Sequence, residues 1–150
     1  MSYDIRLVKG KAKKTVAIRV SGILQYGGTI AYDPETQRVC DVEEVCFNVT
    51  YNYGCILRLP DVLGDDGIRS LYGQPFETIL DRLYRARDTV VRKFADKLDV
   101  DQLSGKVVTE YDYWKATPRN VMKTLDHMIL VLNVVRTQER SCAGMTFEGD

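Results

Sequence analysis

Three uncharged polar side chains alternate with apolar ones in the segment FNVTYNYG, residues 47–54. Because successive side chains of a β-strand point to opposite faces, the polar residues would share one face of a strand and the apolar residues the other. Amide and hydroxyl groups donate and accept hydrogen bonds without charge, which suits a neutral polar ligand, a base edge or the exposed backbone of a partner. The alternative is an outer sheet face stabilised by cross-strand hydrogen bonds. The predicted binding residues of this strand are Asn48, Thr50 and Asn52.

Two further segments place cations, aromatics and amides at the ends of predicted elements. GIRSLYG, residues 67–73, holds an arginine in a turn bracketed by glycines, and YWKATPRN, residues 113–120, lies at the start of a predicted helix. The free N–H groups and positive dipole end of a helix start favour anions such as phosphate or carboxylate. Alternatively, Trp114 is a hydrophobic anchor that docks the helix. The predicted binding residues here are Arg69, Tyr72, Tyr113, Trp114, Thr117, Asn120 and Lys123.

Catalytic motifs of fixed spacing are absent from the sequence. There is no phosphate-binding P-loop, glycine-rich dinucleotide fingerprint, nucleophile elbow or zinc-protease motif, and His127 is the single histidine. We therefore predict no catalytic residue. The enzyme alternative is nucleotide or phosphate processing, in which cations hold the phosphate and a carboxylate activates water. Its residues would be Arg69, Lys115, Lys123 and the cluster Asp61, Asp65 and Asp66.

Length and charge limit the classes of protein to which the chain can belong. A chain of 150 residues with 45% hydrophobic and 28% charged residues fits one globular domain spanning residues 1–150. Lys+Arg and Asp+Glu are both 21, so the formal net charge is zero and no basic surplus favours nucleic acid. Little net repulsion opposes self-association, so the composition permits a homo-oligomer.

Hydropathy and cysteine patterns predict a cytoplasmic protein with no membrane partner. The chain has no apolar run of signal-peptide or membrane-span length. Its four cysteines are unevenly spaced and lack a C-x-x-C pair, which argues against zinc and favours reduced, buried thiols. We accordingly predict no metal site and no cofactor.

The first third of the chain has the composition of β-strands. Residues 3–7 alternate apolar and polar side chains, and residues 15–20 are rich in β-branched ones, so the two runs predict a hairpin. Residues 29–32 predict a further strand that stops at the Asp-Pro turn signal following it. The last predicted strand runs from residue 45 to 53.

The remainder of the chain has helical periodicity. Apolar residues recur at three- and four-residue steps from Phe76 to Leu98, which predicts an amphipathic helix. A second helix is predicted from Pro118, because the Thr117 hydroxyl can cap free N–H groups and proline fits the first helical position. The predicted fold class is α+β, with an N-terminal antiparallel sheet (hairpin plus two strands) and two long C-terminal amphipathic helices packed on one face.

Five short segments, YDIRL, NVTYNYG, GIRSLYG, YWKATPRN and the closing EGD, resemble a small family of proteins encoded in phage and prophage genomes. Members share an N-x-T-Y-N-Y-like strand, a G-I-R-x-[LI]-Y-G turn, a Y-W-x-x-T-x-x-N helix start and an acidic Gly-Asp tail. The resemblance spans most of the chain, although the segment from residue 90 to 106 is longer here. It implies a phage accessory protein that acts in the cytoplasm of a bacterial host cell, and no particular chemistry.

A small non-enzymatic binding protein is the function that these observations favour. Encoded by a phage, it would inhibit a host component such as a defence system by occupying a site, in an anti-CRISPR-like role. Its partner would be a host protein or a small polar or phosphorylated ligand. The alternatives are the enzyme described above and a structural protein that forms oligomers through an apolar helix face.

Overall fold

The architecture, taken from a computed structural model, combines strands from both ends of the chain with helices between them. The described residues are 2–8, 25–33, 38–50, 53, 67–108, 112, 115–138 and 144–149. In the first three strands, side chains are described for Val45, Phe47 and Val49.

Four strands pair in an antiparallel sheet. They are β1 (Ser2–Val8), β2 (Gln25–Asp33), β3 (Arg38–Thr50) and β4 (Thr146–Gly149), in the spatial order β2-β3-β1-β4. β3 pairs with β2 on one side and with β1 on the other. The buried side chains of Val45, Phe47 and Val49 recur at every second position of β3 and join the core, as the two-residue period of a strand requires.

The predicted fold class is wrong, because the sheet is not an N-terminal unit. β1 is hydrogen-bonded to β3 through residues 2–8 and to β4 through residues 5–8. A strand from near the C-terminus therefore lies where the sequence predicted a hairpin partner, and that partner, residues 15–20, lies outside the described residues. Most residues whose side chains are described belong to helices. Local alternation predicts that a segment is extended, but not which strand it pairs with.

The described residues between β3 and β4 form three helices. They are α1 (Phe76–Phe94), the short α2 (Val100–Leu103) and α3 (Pro118–Gln138), with 3-10 turns at Gly67–Leu71 and Ala95–Lys97. The two predicted helix starts are confirmed: α1 begins at Phe76 and α3 at Pro118. The Thr117 hydroxyl accepts a hydrogen bond from the Asn120 N–H at 3.3 Å. Gly73 leads into α1 with a φ of 72°, a conformation that glycine adopts without strain.

α1 and α3 are antiparallel and pack against the strands. Glu77 near the start of α1 pairs with Arg136 near the end of α3, with 3.3 Å between Oε2 and Nη1. Halfway along both helices, Arg87 pairs with Asp126 at 2.8 Å. Buried apolar residues of both helices and of β3 and β4 form one core. Its largest fully buried side chains include Tyr53, Phe47, Phe76, Phe147 and Ile68.

The first half of α3 is enclosed on all sides. Every residue from 120 to 129 is buried, although five of them are polar or charged. A helix with a single buried face exposes its opposite face to water, so α1 and β3 alone do not account for this burial. The backbone carbonyls of Asp112 and Lys115, which accept hydrogen bonds from the buried Asn120 side chain, cover part of the remaining surface. Within the described ranges, no helix has both the length and the apolar character needed to cross a membrane.

β4 closes the sheet next to the start of α1. Its Phe147 is fully buried, and the ring lies 6.3 Å from the Phe47 ring at an angle of 55°. The Phe147 carbonyl accepts a hydrogen bond from the Gly73 N–H at 2.6 Å, and the Met145 carbonyl accepts one from the Phe76 N–H at 2.9 Å. β4 therefore contributes to the core, and Met145 just before it holds the first residue of α1.

Replacing Phe147 by alanine should lower the free energy of unfolding by about 3–5 kcal/mol, because a large side chain is removed from a packed site and a cavity remains. Urea titration followed by circular dichroism measures the loss. The control is Val100→Ala, at a side chain that is 80% exposed, which should change the stability by less than about 0.5 kcal/mol. Equal stability of the two variants would contradict the role assigned to β4.

Candidate functional site

Two of the three polar strand residues predicted to bind a ligand, Asn48 and Thr50, lie on an interior strand. The backbone of Asn48 pairs with Asp4 of β1 and with Gln25 of β2, and Thr50 pairs with the first residue of β1. The described apolar residues that alternate with them, Phe47 and Val49, are buried. The binding role of Asn48 and Thr50 stays a prediction.

The polar residues at the start of α3 hold that helix start in place. Asn120 is buried, and its amide donates to the backbone carbonyl of Asp112 and, at 2.8 Å, to that of Lys115. Thr117 caps the helix through its hydroxyl. These two side chains therefore bond to the backbone of their own chain, and a ligand would have to compete with those bonds.

Arg69 and Lys123 lie at different levels of the helix pair. Arg69 is exposed in the 3-10 turn before α1, and the carbonyl of the next residue accepts a hydrogen bond from Arg82 at 2.6 Å. Lys123 is fully buried on α3. Arg82 lies five residues before Arg87, and Lys123 lies three residues before Asp126. Because the helices are antiparallel, these offsets run in opposite directions, so Arg82 and Lys123 are about 12 Å apart along the helix axis at about 1.5 Å per residue.

The remaining residues named from the sequence do not gather at one described site. Tyr72 is half-buried beside β4 and forms a backbone bridge with Phe147. It thus lies near Arg69, whereas Lys123 lies with Thr117 and Asn120 on the first turns of α3. The residues outside the described part of the chain are Asn52, Asp61, Asp65, Asp66, Tyr113 and Trp114.

A groove runs between α1 and α3 and has residues 103–107 as a third wall. Its volume is about 440 Å³, within the range of about 300–1,000 Å³ that ligand clefts occupy. The lining residues of each long helix are three or four positions apart except for the adjacent pairs Arg87–Asp88 and Ile129–Leu130, so each set lies on one helix face. The lining includes Tyr84, Arg87, Leu103, Asp126, Leu130 and Asn133.

A chain of hydrogen bonds beside this groove joins the three helices. Arg87 donates through Nε to Asp126 Oδ1 at 2.8 Å and through Nη2 to the Gln102 carbonyl at 3.0 Å. The fully buried Gln102 side chain donates to the Arg119 carbonyl at 2.8 Å and accepts from the Asp99 N–H at 3.2 Å. Arg119 in turn pairs with Asp99 at 2.7 Å. Since buried polar groups must be hydrogen-bonded to be tolerated, this chain constrains how the helices approach one another.

Asp126 lines the groove with one carboxylate oxygen unused. Oδ1 accepts from Arg87, whereas Oδ2 is buried and has no hydrogen-bond partner within the described part of the structure. Burial raises the pKa of Asp126, and the hydrogen bond and charge of Arg87 act in the opposite direction. A buried acceptor without a hydrogen-bond partner is stabilised when a donor reaches it.

The rim of the groove is apolar and exposed. Tyr84, Leu103 and Leu130 are 43%, 44% and 46% exposed, and they are three of the four large hydrophobic side chains exposed among the described residues. The fourth, Val100, does not line the groove. Single exposed apolar residues are ordinary on a protein surface, but a cluster at a cleft is typical of an interaction site. The three rim residues come from three different helix segments.

Two further buried polar side chains, Lys123 and His127, lie within one turn of Asp126 on α3. Burial lowers the pKa of Lys123 from 10.5 to about 8, with a contribution from the nearby positive charge of Arg119. Burial and then the Lys123 charge lower the pKa of His127, and the Val108 backbone raises it by a smaller amount. Neither ring nitrogen of His127 has a hydrogen-bond partner among the described residues. The Val108 backbone therefore affects the pKa of His127 by lying near the ring, without a well-formed hydrogen bond. Both groups are kept toward their neutral forms.

Sequence reasoning missed the groove, although one signal for it was present. Arg87 lies four residues after the buried Leu83 and three before the buried Val90, and Asp126 lies four after the buried Met122. A charge on the apolar stripe of each of two helices indicates a buried ion pair. The exposed Leu130 gave no such signal, because it lies within a continuous apolar run.

Comparison with protein-family models, curated proteins and solved structures finds no match for this chain. The resemblance to phage-encoded proteins therefore stays a prediction. The function is inferred from the geometry and charge of the groove.

Arg87→Met should lower the free energy of unfolding by about 3–5 kcal/mol near neutral pH, because it leaves Asp126 buried without its counter-charge. The double variant Arg87→Met/Asp126→Leu should be more stable than the single one, since no buried charge remains. Acid should reduce the loss in the single variant, because a raised folded-state pKa means that protonation of Asp126 favours the fold. Urea titrations at several pH values measure all three effects.

The matched control for this pair is Arg85→Met on the same helix. Arg85 pairs with Asp81 at 3.3 Å, and both side chains are largely exposed, so the change should be less than about 1 kcal/mol. If the loss of unfolding free energy in the double variant equals the sum of the losses in Arg87→Met and Asp126→Leu, the predicted coupling between the two side chains is wrong.

Lys123 should make the stability of the protein increase with pH between about 8 and 10.5. In that window the folded chain has released the Lys123 proton while the unfolded chain retains it, so the free energy of unfolding rises by up to about 1.4 kcal/mol per pH unit. Lys123→Met should remove this slope, and Lys97→Met, at an exposed lysine, should keep it. Urea titrations at several pH values between about 8 and 10.5 measure the free energy of unfolding. The same pH dependence in wild type and Lys123→Met would contradict the lowered pKa of Lys123.

Proposed function

We propose that this protein is a non-enzymatic binding protein that holds a segment of a partner protein in the groove between α1 and α3. The observation that carries the proposal is the clustering of Tyr84, Leu103 and Leu130 around one cleft. Of the large apolar side chains that the described residues expose, all but Val100 are found there.

The energetic reason is the apolar area that these three side chains leave in water. Burying apolar surface contributes roughly 25 cal/mol per Å², so a partner that covers the rim gains free energy from each of them. Because the three rim residues stand on three helix segments, a ligand must present several apolar groups at once to cover them. A segment of a protein does this with successive side chains of a helix or strand.

The hydrogen-bonded polar groups at and beside the groove support binding rather than bond making. Arg87 and Gln102 use their donors and acceptors to hold α1, α2 and α3 together. A preformed cleft needs little reorganisation to accept its ligand, which lowers the entropy cost of association. The proposal keeps the class predicted from the sequence, since capture of a host protein segment would inhibit that protein by occupation alone.

The test is a selection from a random peptide library displayed on yeast, with the purified protein as bait. Wild type should enrich peptides with several apolar residues, and synthetic copies should bind it in fluorescence anisotropy. Leu103→Gln combined with Leu130→Gln should weaken that binding about tenfold or more, because two apolar contacts are lost. Val100→Gln is the matched control: it removes the exposed apolar residue that does not line the groove, and should bind as wild type does.

Three results would overturn the proposal. One is a selection that enriches no peptide, and another is equal binding by the rim variant and wild type. The third is a wild-type dimer, seen in sedimentation, that the rim variant converts to a monomer, because the occupant of the groove would then be a second copy of this chain. Circular dichroism of each variant shows that the fold is retained.

A further inference from the structure

We infer that the segment held in the groove carries a lysine or arginine about one helical turn from an apolar anchor, and that Asp88 and Asp126 receive its charge. This inference rests on the proposed function, because it specifies the chemistry of the same occupant. It follows from the charges that line the groove and from their distance to the apolar rim.

The groove has one more carboxylate than its cation neutralises. Arg87 is committed to Asp126 Oδ1 and to the Gln102 carbonyl. Asp126 Oδ2 remains without a hydrogen bond in the described part of the chain. Asp88 lines the same groove, is exposed, and forms no ion pair with any described residue. A cationic ligand would therefore find two carboxylates among the lining residues, the exposed Asp88 and the buried Asp126.

The cation beside the third wall does not cancel this negative charge. Lys106 lies between two lining residues of the third wall, but its ammonium group pairs with Asp101 at 3.7 Å. Arg119 pairs with Asp99 outside the lining of the groove. The electrostatic complement of the groove is thus a positive group, and an anionic segment would meet two carboxylates.

The positions of the acids and of the apolar rim set the spacing of the ligand. The Asn133 amide donates to the Tyr84 hydroxyl at 2.8 Å, so these residues face each other across the groove. Asp88 lies four residues after Tyr84, and Asp126 lies four residues before Leu130, on antiparallel helices. Each acid is therefore about 6 Å along the axis from its apolar neighbour, and both displacements run in the same direction.

A partner helix matches this spacing with residues three or four positions apart. Side chains at such positions lie on one face with their Cβ atoms about 5–6 Å apart. An apolar residue would cover Tyr84 and Leu130, and the cationic residue would reach Asp88 and then Asp126. A small amine could meet the acids but could not also cover Leu103 on the third wall, so a peptide segment fits the whole groove better.

The experiment uses the strongest peptide from the library selection and changes one residue at a time. The cation is replaced by glutamine and by glutamate, and in a further peptide it is moved two positions, to the opposite face of a helix. Affinity for wild type should fall about three- to tenfold with glutamine, and further with glutamate. The moved cation should bind no better than the glutamine peptide, and added salt should narrow all these differences.

Variants of the protein provide the complementary test. Asp88→Asn should reduce the preference for the cationic peptide over the glutamine peptide, and Asp126→Asn should reduce it as well if that variant folds. Asp81→Asn is the matched control, because Asp81 is an exposed acid of α1 that does not line the groove, and it should keep the preference.

The inference fails if peptides bind in a rim-dependent way but with equal affinity for the three charge forms, or if Asp88→Asn and Asp81→Asn have the same effect. It also fails if the glutamate form binds best. These results leave the proposed function standing, whereas the absence of any rim-dependent peptide binding removes the proposed function itself. The two failures are therefore distinguishable in one set of measurements.

Discussion

The contact between Arg87 and Asp126 is the interaction on which the arrangement of the helices depends. Removing a guanidinium and a carboxylate from water costs several kcal/mol per ion, so the pair is tolerated only with good geometry and further hydrogen bonds. Gln102 supplies the next bond through its backbone carbonyl, and its side chain continues the chain to Arg119. The spacing of α1, α2 and α3 follows from these directional bonds, whereas apolar packing alone would allow the helices to slide.

The enclosed half of α3 shows how much polar chemistry this fold buries. Lys123, Asp126 and His127 are all buried within two turns, and burial shifts the pKa of each toward its neutral form. Asp126 is offset by the opposite charge of Arg87, and Lys123 lies close to the like charge of Arg119. The fold therefore retains groups that an apolar core would not need, and hydrophobic burial elsewhere must offset them.

The groove is a consequence of the same arrangement. The pair Arg87 and Asp126 holds α1 and α3 together at one level. Residues 103–107 form a third wall beside the two helices, and the cleft between them has Tyr84 and Leu130 on its rim. Apolar residues at a cleft mouth and an unsatisfied acceptor at its floor both stabilise a complex more than the free protein. A partner segment with an apolar residue and a cation on one face would cover the apolar rim and donate to the acceptor.

The sequence by itself determined the local elements of this protein. The starts of α1 and α3 were predictable because apolar spacing, a threonine cap and a proline act within a few residues, and the buried alternation at Val49 was predictable from a period of two. The pairing of β4 with β1 was not, since a short strand has no local signal that names its partner. The groove was decided only by tertiary structure: Arg87 and Asp126 are 39 positions apart, and whether two such charges meet depends on helix packing over long range.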